Sequence, residues 1–163
     1  MKLSIVIPVY NEAERLPPKL ELYLKLVNED LLDYELILVN DGSTDDTLDY
    51  LRKLSSKNPK VRFIHNPKNR GRGFGMKTGV LAASGDFILE TDADLPVNPE
   101  YIIKFMSFLE KNREYDYVIG SRGHKDSAFV IPQPFFRVLF GHLFHIIFGL
   151  FFLASFINSS KSI

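Results

Sequence analysis

Two carboxylates stand two residues apart in Thr91-Asp92-Ala93-Asp94, directly after the apolar run Phe87-Ile88-Leu89. The side-chain period of an extended chain is two, so Asp92 and Asp94 at a strand end point the same way and can share one cation. An oxygen-only site of this kind suits Mg²⁺ or Mn²⁺, which uses one or two carboxylates and takes its remaining ligands from substrate phosphates and water. Such an ion bridges a diphosphate and stabilises it as a leaving group. The plainer alternative is a pair of solvated acids capping the helix that begins after Pro99, and an Asp-x-Asp string by itself does not choose between the two.

Four further stretches carry candidates. Pro8-Val9-Tyr10-Asn11-Glu12 can place a ring and hydrogen-bonding groups around a planar base or ribose, and it reads equally well as a helix start with Asn11 as N-cap and Glu12 in the first turn. In Asn40-Asp41-Gly42-Ser43-Thr44-Asp45, Asp41 could accept hydrogen bonds from a nucleobase edge, Gly42 permits a tight turn and Asp45 can cap the following helix; a turn plus a cap is the simpler account. Asn69-Arg70-Gly71-Arg72-Gly73-Phe74-Gly75 sets arginines and glycines at a helix entrance, where backbone N–H groups, the positive helix end and guanidinium groups favour an anion such as a diphosphate. It lacks the ending of a Walker loop and lies too deep in the chain for a dinucleotide fingerprint. Gly120-Ser121-Arg122 leads through a loop to Phe135-Phe136-Arg137, and Arg122 and Arg137 could hold a phosphate at the depth of lipid headgroups or simply be solvated.

Those stretches need elements to position them. Short apolar runs alternate with longer segments of helical period, which predicts an α/β fold of parallel strands joined by crossover helices. Strands are expected over 3–9, 35–40, 61–65, 86–91 and 115–120, and helices over 12–28, 45–57, 73–83 and 99–112. Every candidate stretch then falls just beyond the carboxyl end of a strand, where open α/β sheets bind ligands. The 163 residues, 45% of them hydrophobic, can bury one substantial core. Twenty basic and twenty acidic residues cancel, so no global field draws the chain to nucleic acid, and the lack of cysteine excludes disulfides and thiolate metal sites. The N-terminal apolar run is short and reads as a strand rather than a secretory signal, which predicts a working end that faces the cytosol.

The C-terminal part changes character. Residues 138–157 read VLFGHLFHIIFGLFFLASFI, with no Asp, Glu, Lys or Arg. The run meets the length criterion for a membrane span, while His142, His145, Gly141 and Gly149 suit a helix lying in the interface; a buried core helix is the plain alternative. The expected division is 1–122, an α/β part that carries the candidate nucleotide and metal residues, and 123–163, a loop with a hydrophobic membrane-associated helix.

In order and spacing, IVIPVYNE, LVNDGSTDDT, NRGRGFGMKTGVLAASGDFILETDADL and GSR followed by PFFR resemble the family 2 glycosyltransferases of GT-A fold, specifically the dolichyl-phosphate mannose and glucose synthases. The resemblance runs from Leu3 to about Phe144, and NRGRGFGMKTG and GSRGH look closer to the glucosyl branch. It implies a mostly parallel, Rossmann-like sheet flanked by helices, with a C-terminal interfacial or membrane helix. It also implies a nucleotide pocket of Pro8, Tyr10, Asn11, Glu12, Asp41, Gly71 and Asp92, with Asp41 against the base, and Mg²⁺ or Mn²⁺ on Asp92 and Asp94. The implied catalytic set is Asp92, Asp94 and Arg122, and the resemblance implies that the acceptor phosphate lies on Arg122 and Arg137. Implied partners are a nucleotide sugar (UDP-glucose or GDP-mannose), a polyprenyl phosphate, a membrane surface and a membrane-anchoring subunit. Asn40, where an acid often precedes Asp41, and Pro96, where the mannosyl branch often has Gln, depart from the pattern without removing a metal ligand. The tail from Ser155 does not resemble the continuation of related enzymes, which implies a shortened chain or a fragment. A glycosyltransferase of hydroxyl acceptors, a nucleotidyltransferase and a non-catalytic nucleotide-binding paralogue remain as rival readings.

Overall fold

The computed structural model describes residues 2–30, 33–95 and 99–120, and within 136–149 the positions 136, 140, 141, 143, 144 and 146–149. The chain divides into two units, Met1–Val118 and Ile119–Ile163. The first contains β1 (Leu3–Val9), α1 (Leu16–Asp30), β2 (Tyr34–Asp41), α2 (Thr47–Lys57), β3 (Val61–Asn66), α3 (Arg72–Ala82), β4 (Phe87–Glu90) and α4 (Pro99–Lys111). The sheet is parallel throughout, in the order β3-β2-β1-β4. The chain thus winds outward from β1 through β2 to β3 and then crosses back, so the order reverses between β1 and β4, the place where sheets of this kind leave a crevice for ligands.

The two inner strands are apolar on both faces, as a sheet covered by helices requires. Leu3, Ile5, Ile7 and Val9 of β1 and Leu36 and Leu38 of β2 pack with Leu16, Leu20, Tyr23 and Val27 of α1, Leu51 of α2 and Ile102 of α4. Val6, Ile37 and Val39 form the opposite layer with Met76 of α3. That helix lies close to the sheet because Gly79 faces it: a β-carbon there would come within 2.3 Å of Val6 Cγ1 and 3.0 Å of Val39 Cγ2.

Two expectations need correction. The first helix starts at Leu16, not near residue 12. Pro17 and Pro18 lack an N–H and clash with the preceding turn unless they lie in the first turn themselves, so a helix through them cannot begin four residues earlier. Asn11 therefore caps no helix; it sits at φ 53° in the left-handed region. The second correction concerns residues 115–120, which are not a strand. Tyr115, Tyr117 and Ile119 are exposed, and among the described residues this segment pairs with no strand, so its alternating pattern gains no ladder of backbone hydrogen bonds.

In the second unit the described positions between 136 and 149 are helical, and the rings of Phe144 and Phe148, one turn apart, stack with centroids 5.6 Å apart. Among the described residues no helix is long and apolar enough to cross a membrane. Most of the run 138–157 lies outside the described residues.

At the amino end of the sheet, Glu35 is a buried carboxylate serving three elements. Its Oε1 accepts from Ser4 Oγ (2.6 Å), Ser84 N (2.8 Å) and Ser84 Oγ (2.7 Å), and its Oε2 accepts from Arg62 Nε (2.9 Å). Burial pushes the Glu35 carboxyl upward, but the hydrogen bonds from Ser4, Ser84 and Arg62 outweigh it and hold the group down at about 2, against an ordinary 4.5. A carboxyl whose folded-state value is depressed stabilises the fold fully above its unfolded value and loses that contribution as pH falls towards the folded one. Unfolding free energy measured in urea should therefore drop by roughly 2–3 kcal/mol between about pH 5 and 2 on account of this group. Glu35→Gln should be less stable at pH 7 and should show a correspondingly flatter acid limb; an unchanged limb would remove Glu35 as its source.

Candidate functional site

The carboxyl end of the sheet is built around Asp41, the last residue of β2, which is 2% exposed. Its Oδ1 accepts from Asn66 Nδ2 at the end of β3 (3.1 Å), and its Oδ2 accepts from the backbone N–H groups of Arg70 (2.9 Å) and Gly71 (2.8 Å). The carboxylate thus shapes the loop that enters α3. Gly42, at φ 71°, lets that loop close over β2, since a β-carbon there would sit 2.5 Å from the backbone of Lys68 and Asn69.

A second set of bonds ties the loop after β1 to the loop after β2. Asn11 N donates to Ser43 Oγ (3.0 Å), Glu12 N to Thr47 Oγ1 (2.9 Å) and Ala13 N to Asp45 Oδ2 (3.1 Å), while Thr44 N donates to Asn11 Oδ1 (2.8 Å). Asp45 Oδ1 accepts from Thr47 N (3.0 Å), the first residue of α2, but the N-cap of that helix is Asp46, whose side chain makes no capping bond, so Asp45 braces the turn before the helix and is not its cap. Asn40, fully buried, turns its Oδ1 to Ser43 N (3.1 Å). Three loops are locked together by side chains that the sequence marks only as turn formers.

Between these loops and the end of β4 lies a cavity of about 570 Å³, lined by Pro8, Val9, Tyr10, Glu12, Arg15, Asp41, Asn69, Gly71, Arg72, Asp92, Ala93 and Asp94. Of the residues expected at a nucleotide pocket, Pro8, Tyr10, Glu12, Asp41, Gly71 and Asp92 come together here, with Asp94 beside them. Asn11 lines a neighbouring hollow and spends its side chain on Thr44. Arg122 and Arg137 lie outside the described residues. Arg15 is the cavity residue that sequence reasoning passed over; its spacing of three from Glu12 was the available signal, and its Nη2 donates to Glu12 Oε1 at 2.8 Å.

Two of the cavity's carboxylates, those of Glu12 and Asp92, are paired with arginines. Arg72 Nε donates to Asp92 Oδ1 at 2.5 Å, across from the start of α3 to the end of β4. The helix is capped by Gly71 at φ 89° with no side-chain hydrogen bond, so its first N–H groups remain open to an anion. Among the described residues no cluster of three or more acidic or histidine side chains is arranged to hold a metal. Asp92 and Asp94, both exposed to one cavity, supply the two carboxylate donors that Mg²⁺ or Mn²⁺ takes when phosphate and water complete its shell, and a cationic group already rests on one of them. The residue types fit such an ion, but Ala93 and Asp94 lie in a turn closed by the bond from Leu95 N to Asp92 O (3.0 Å), so the two acids do not share a direction through strand alternation as expected.

The family model described as Glycosyl transferase family 2 matches residues 4–155. The chain is a member of that family. Curated relatives include a dolichyl-phosphate beta-glucosyltransferase of Drosophila melanogaster, 32% identical over 95% of this chain and 51% of its own length, and one of Dictyostelium discoideum, 36% identical over 88% and 47%. A dolichol-phosphate mannosyltransferase of Pyrococcus furiosus is 39% identical over 85% of this chain and 38% of its own length. The chain therefore spans about half the length, or less, of the curated relatives it matches. Among solved structures, S. aureus TarS in complex with UDP aligns with a TM-score of 0.58 at 24% identity, over 82% of this chain and 38% of that one. The mannosyltransferase PcManGT from Pyrobaculum calidifontis, in complex with GDP-Man and Mn²⁺, aligns at 0.54 and 24%, over 66% and 32%. These likenesses show that the parallel sheet with its flanking helices has structural neighbours of GT-A fold.

With Asn at position 41 its oxygen meets the N–H groups of Arg70 and Gly71 only as a neutral acceptor, and its NH₂ group meets the Asn66 amide, which must turn over to accept it. Asp41→Asn should cost about 1–3 kcal/mol of unfolding free energy. It should also speed amide exchange at Arg70 and Gly71 more than at the core of β2. Exchange unchanged at those two amides would show that the carboxylate does not hold the loop.

Proposed function

We propose that this family 2 member binds a nucleotide sugar, UDP-glucose or GDP-mannose, and transfers its hexose with inversion to a polyprenyl phosphate at a membrane surface. The observation that carries the reading is the cavity at the carboxyl ends of β1 and β4, which gathers Tyr10, Glu12, Asp41, Asp92 and Asp94 beside the uncapped start of α3. The dolichyl- and dolichol-phosphate acceptors in the names of the relatives support the lipid side of it.

In this reading Tyr10, with its ring half exposed, flanks the base or ribose. Asp41 keeps one acceptor position after its three internal bonds and turns it to the base edge. The diphosphate lies against Gly71 and the positive end of α3. Asp92 and Asp94 would hold Mg²⁺ or Mn²⁺, which when bound neutralises charge on the leaving diphosphate. An acceptor phosphate monoester, with its second pKa near about 6, is mostly dianionic at neutral pH. Its oxygen forms the new bond at the anomeric carbon as the bond to the nucleoside diphosphate breaks on the opposite face, and no side chain has to remove a proton. Arg122 and Arg137 hold that acceptor. The Phe-rich run 138–157 keeps the site at the cytoplasmic face of a membrane, alone or with a membrane-anchoring subunit.

The direct test is transfer of labelled sugar from UDP-glucose and from GDP-mannose to a polyprenyl phosphate in detergent, with and without Mg²⁺ or Mn²⁺. Metal-dependent transfer from one donor is expected; turnover on a soluble hydroxyl acceptor with none on the lipid phosphate would refute the acceptor. Asp92→Asn and Asp94→Asn should each weaken metal-dependent nucleotide binding by at least about tenfold, since losing a ligand costs no less than losing a group that orients one. Both side chains are exposed, so Tm should barely move.

A further inference from the structure

The carboxylates at the ends of the sheet differ in how firmly they are held. Glu35 and Asp41 are buried and each accepts several hydrogen bonds, so neither is free to change partner. Asp92 is different: its side chain is 53% exposed and is held by Arg72, itself 63% exposed. An exposed pair of this sort is worth little and exchanges readily.

The position of Arg72 sharpens the point. It is the first residue of α3, where the helix dipole disfavours a cation. Helix stability therefore gives no reason for an arginine there, and neither does packing, because the side chain is mostly solvated. What the position does provide is reach in two directions from one cavity wall, to the Asp92 carboxylate and to the place in front of the open N–H groups of α3 where an anion is favoured.

We propose that Arg72 is an exchangeable counter-cation and a donor-binding residue. In the donor-free protein it neutralises Asp92; when a divalent ion takes that carboxylate, the guanidinium is released and closes on the diphosphate of the nucleotide sugar. Its charge opposes a metal ion arriving alone and favours one arriving with a diphosphate, so that metal and nucleotide bind as a unit. The inference rests on the nucleotide-sugar reading above and assigns within it a residue whose effect on metal and on nucleotide has opposite sign.

That opposition is what to measure. Mn²⁺ binding without nucleotide would be followed by loss of the free-ion electron paramagnetic resonance signal in the wild type, Arg72→Gln and Arg72→Lys, and binding of UDP and GDP by calorimetry with Mn²⁺ and with EDTA. Arg72→Gln should bind Mn²⁺ alone about two- to fivefold more tightly, the scale set by release of an exposed ion pair. It should bind whichever nucleotide the wild type takes, in the presence of Mn²⁺, about five- to tenfold more weakly, as expected for loss of a charge-assisted contact. Arg72→Lys, which keeps the charge, should return the affinity for Mn²⁺ alone towards the wild-type value. If the wild type binds Mn²⁺ with nucleotide but Arg72→Gln leaves the affinity for Mn²⁺ alone unchanged or lower, Arg72 is not a counter-cation and the metal site stands without it. If no protein binds Mn²⁺ under either condition, the metal reading of Asp92 and Asp94 fails and the role of Arg72 falls with it. A merely structural arginine would weaken both ligands together, which would also overturn the proposal.

Discussion

Everything at the site depends on two carboxylates at opposite ends of one face of β2. Glu35 and Asp41 are six residues apart on a strand, so they share a face, and that face lies under α3. Asp41 takes the N–H groups of Arg70 and Gly71, just before the helix; Glu35 takes the N–H and the hydroxyl of Ser84, just after it. The helix is gripped at both ends by groups inside the sheet. Between the grips, the absence of a side chain at Gly79 lets it settle onto Val6 and Val39. Burying a carboxylate is costly unless donors surround it, and here the donors are the backbone of the segments that must be placed.

Fixing α3 fixes the floor of the cavity. The start of the helix is brought beside the end of β4, and the loops after β1 and β2 are knitted to each other through Asn11, Ser43, Thr44, Asp45 and Thr47. The rigid groups are therefore held by donors from within the fold. The groups left with exchangeable partners, Glu12 with Arg15 and Asp92 with Arg72, face the cavity. That division, locked charge below and mobile charge above, is what a site needs if it is to trade its own ion pairs for those of a charged ligand.

Much of this was legible in the residues. Alternating strand and helix periods fixed the α/β class and the position of four strands, and the turns after β1, β2 and β4 and the entrance to α3 carried the cavity residues Pro8, Tyr10, Glu12, Asp41, Gly71, Asp92 and Asp94. The start of α1 was also written in the chain, at Pro17 and Pro18, but a capping string four residues earlier masked it. The segment 115–120 departs from its pattern for a different reason: alternation describes a half-buried surface, and a strand exists only where backbone groups pair with a neighbour's.

What the sequence by itself determined, then, was local: the periods that make elements, the acids spaced two apart, and the strings that mark the family. Tertiary structure decided which of the acids are fixed and which are free. Asp41 and Asp92 are both aspartates at strand ends, yet one is enclosed by Asn66, Arg70 and Gly71 and the other meets a solvated arginine twenty residues away. No spacing rule separates them, because burial and the number of donors around a carboxylate are set by segments distant in the chain.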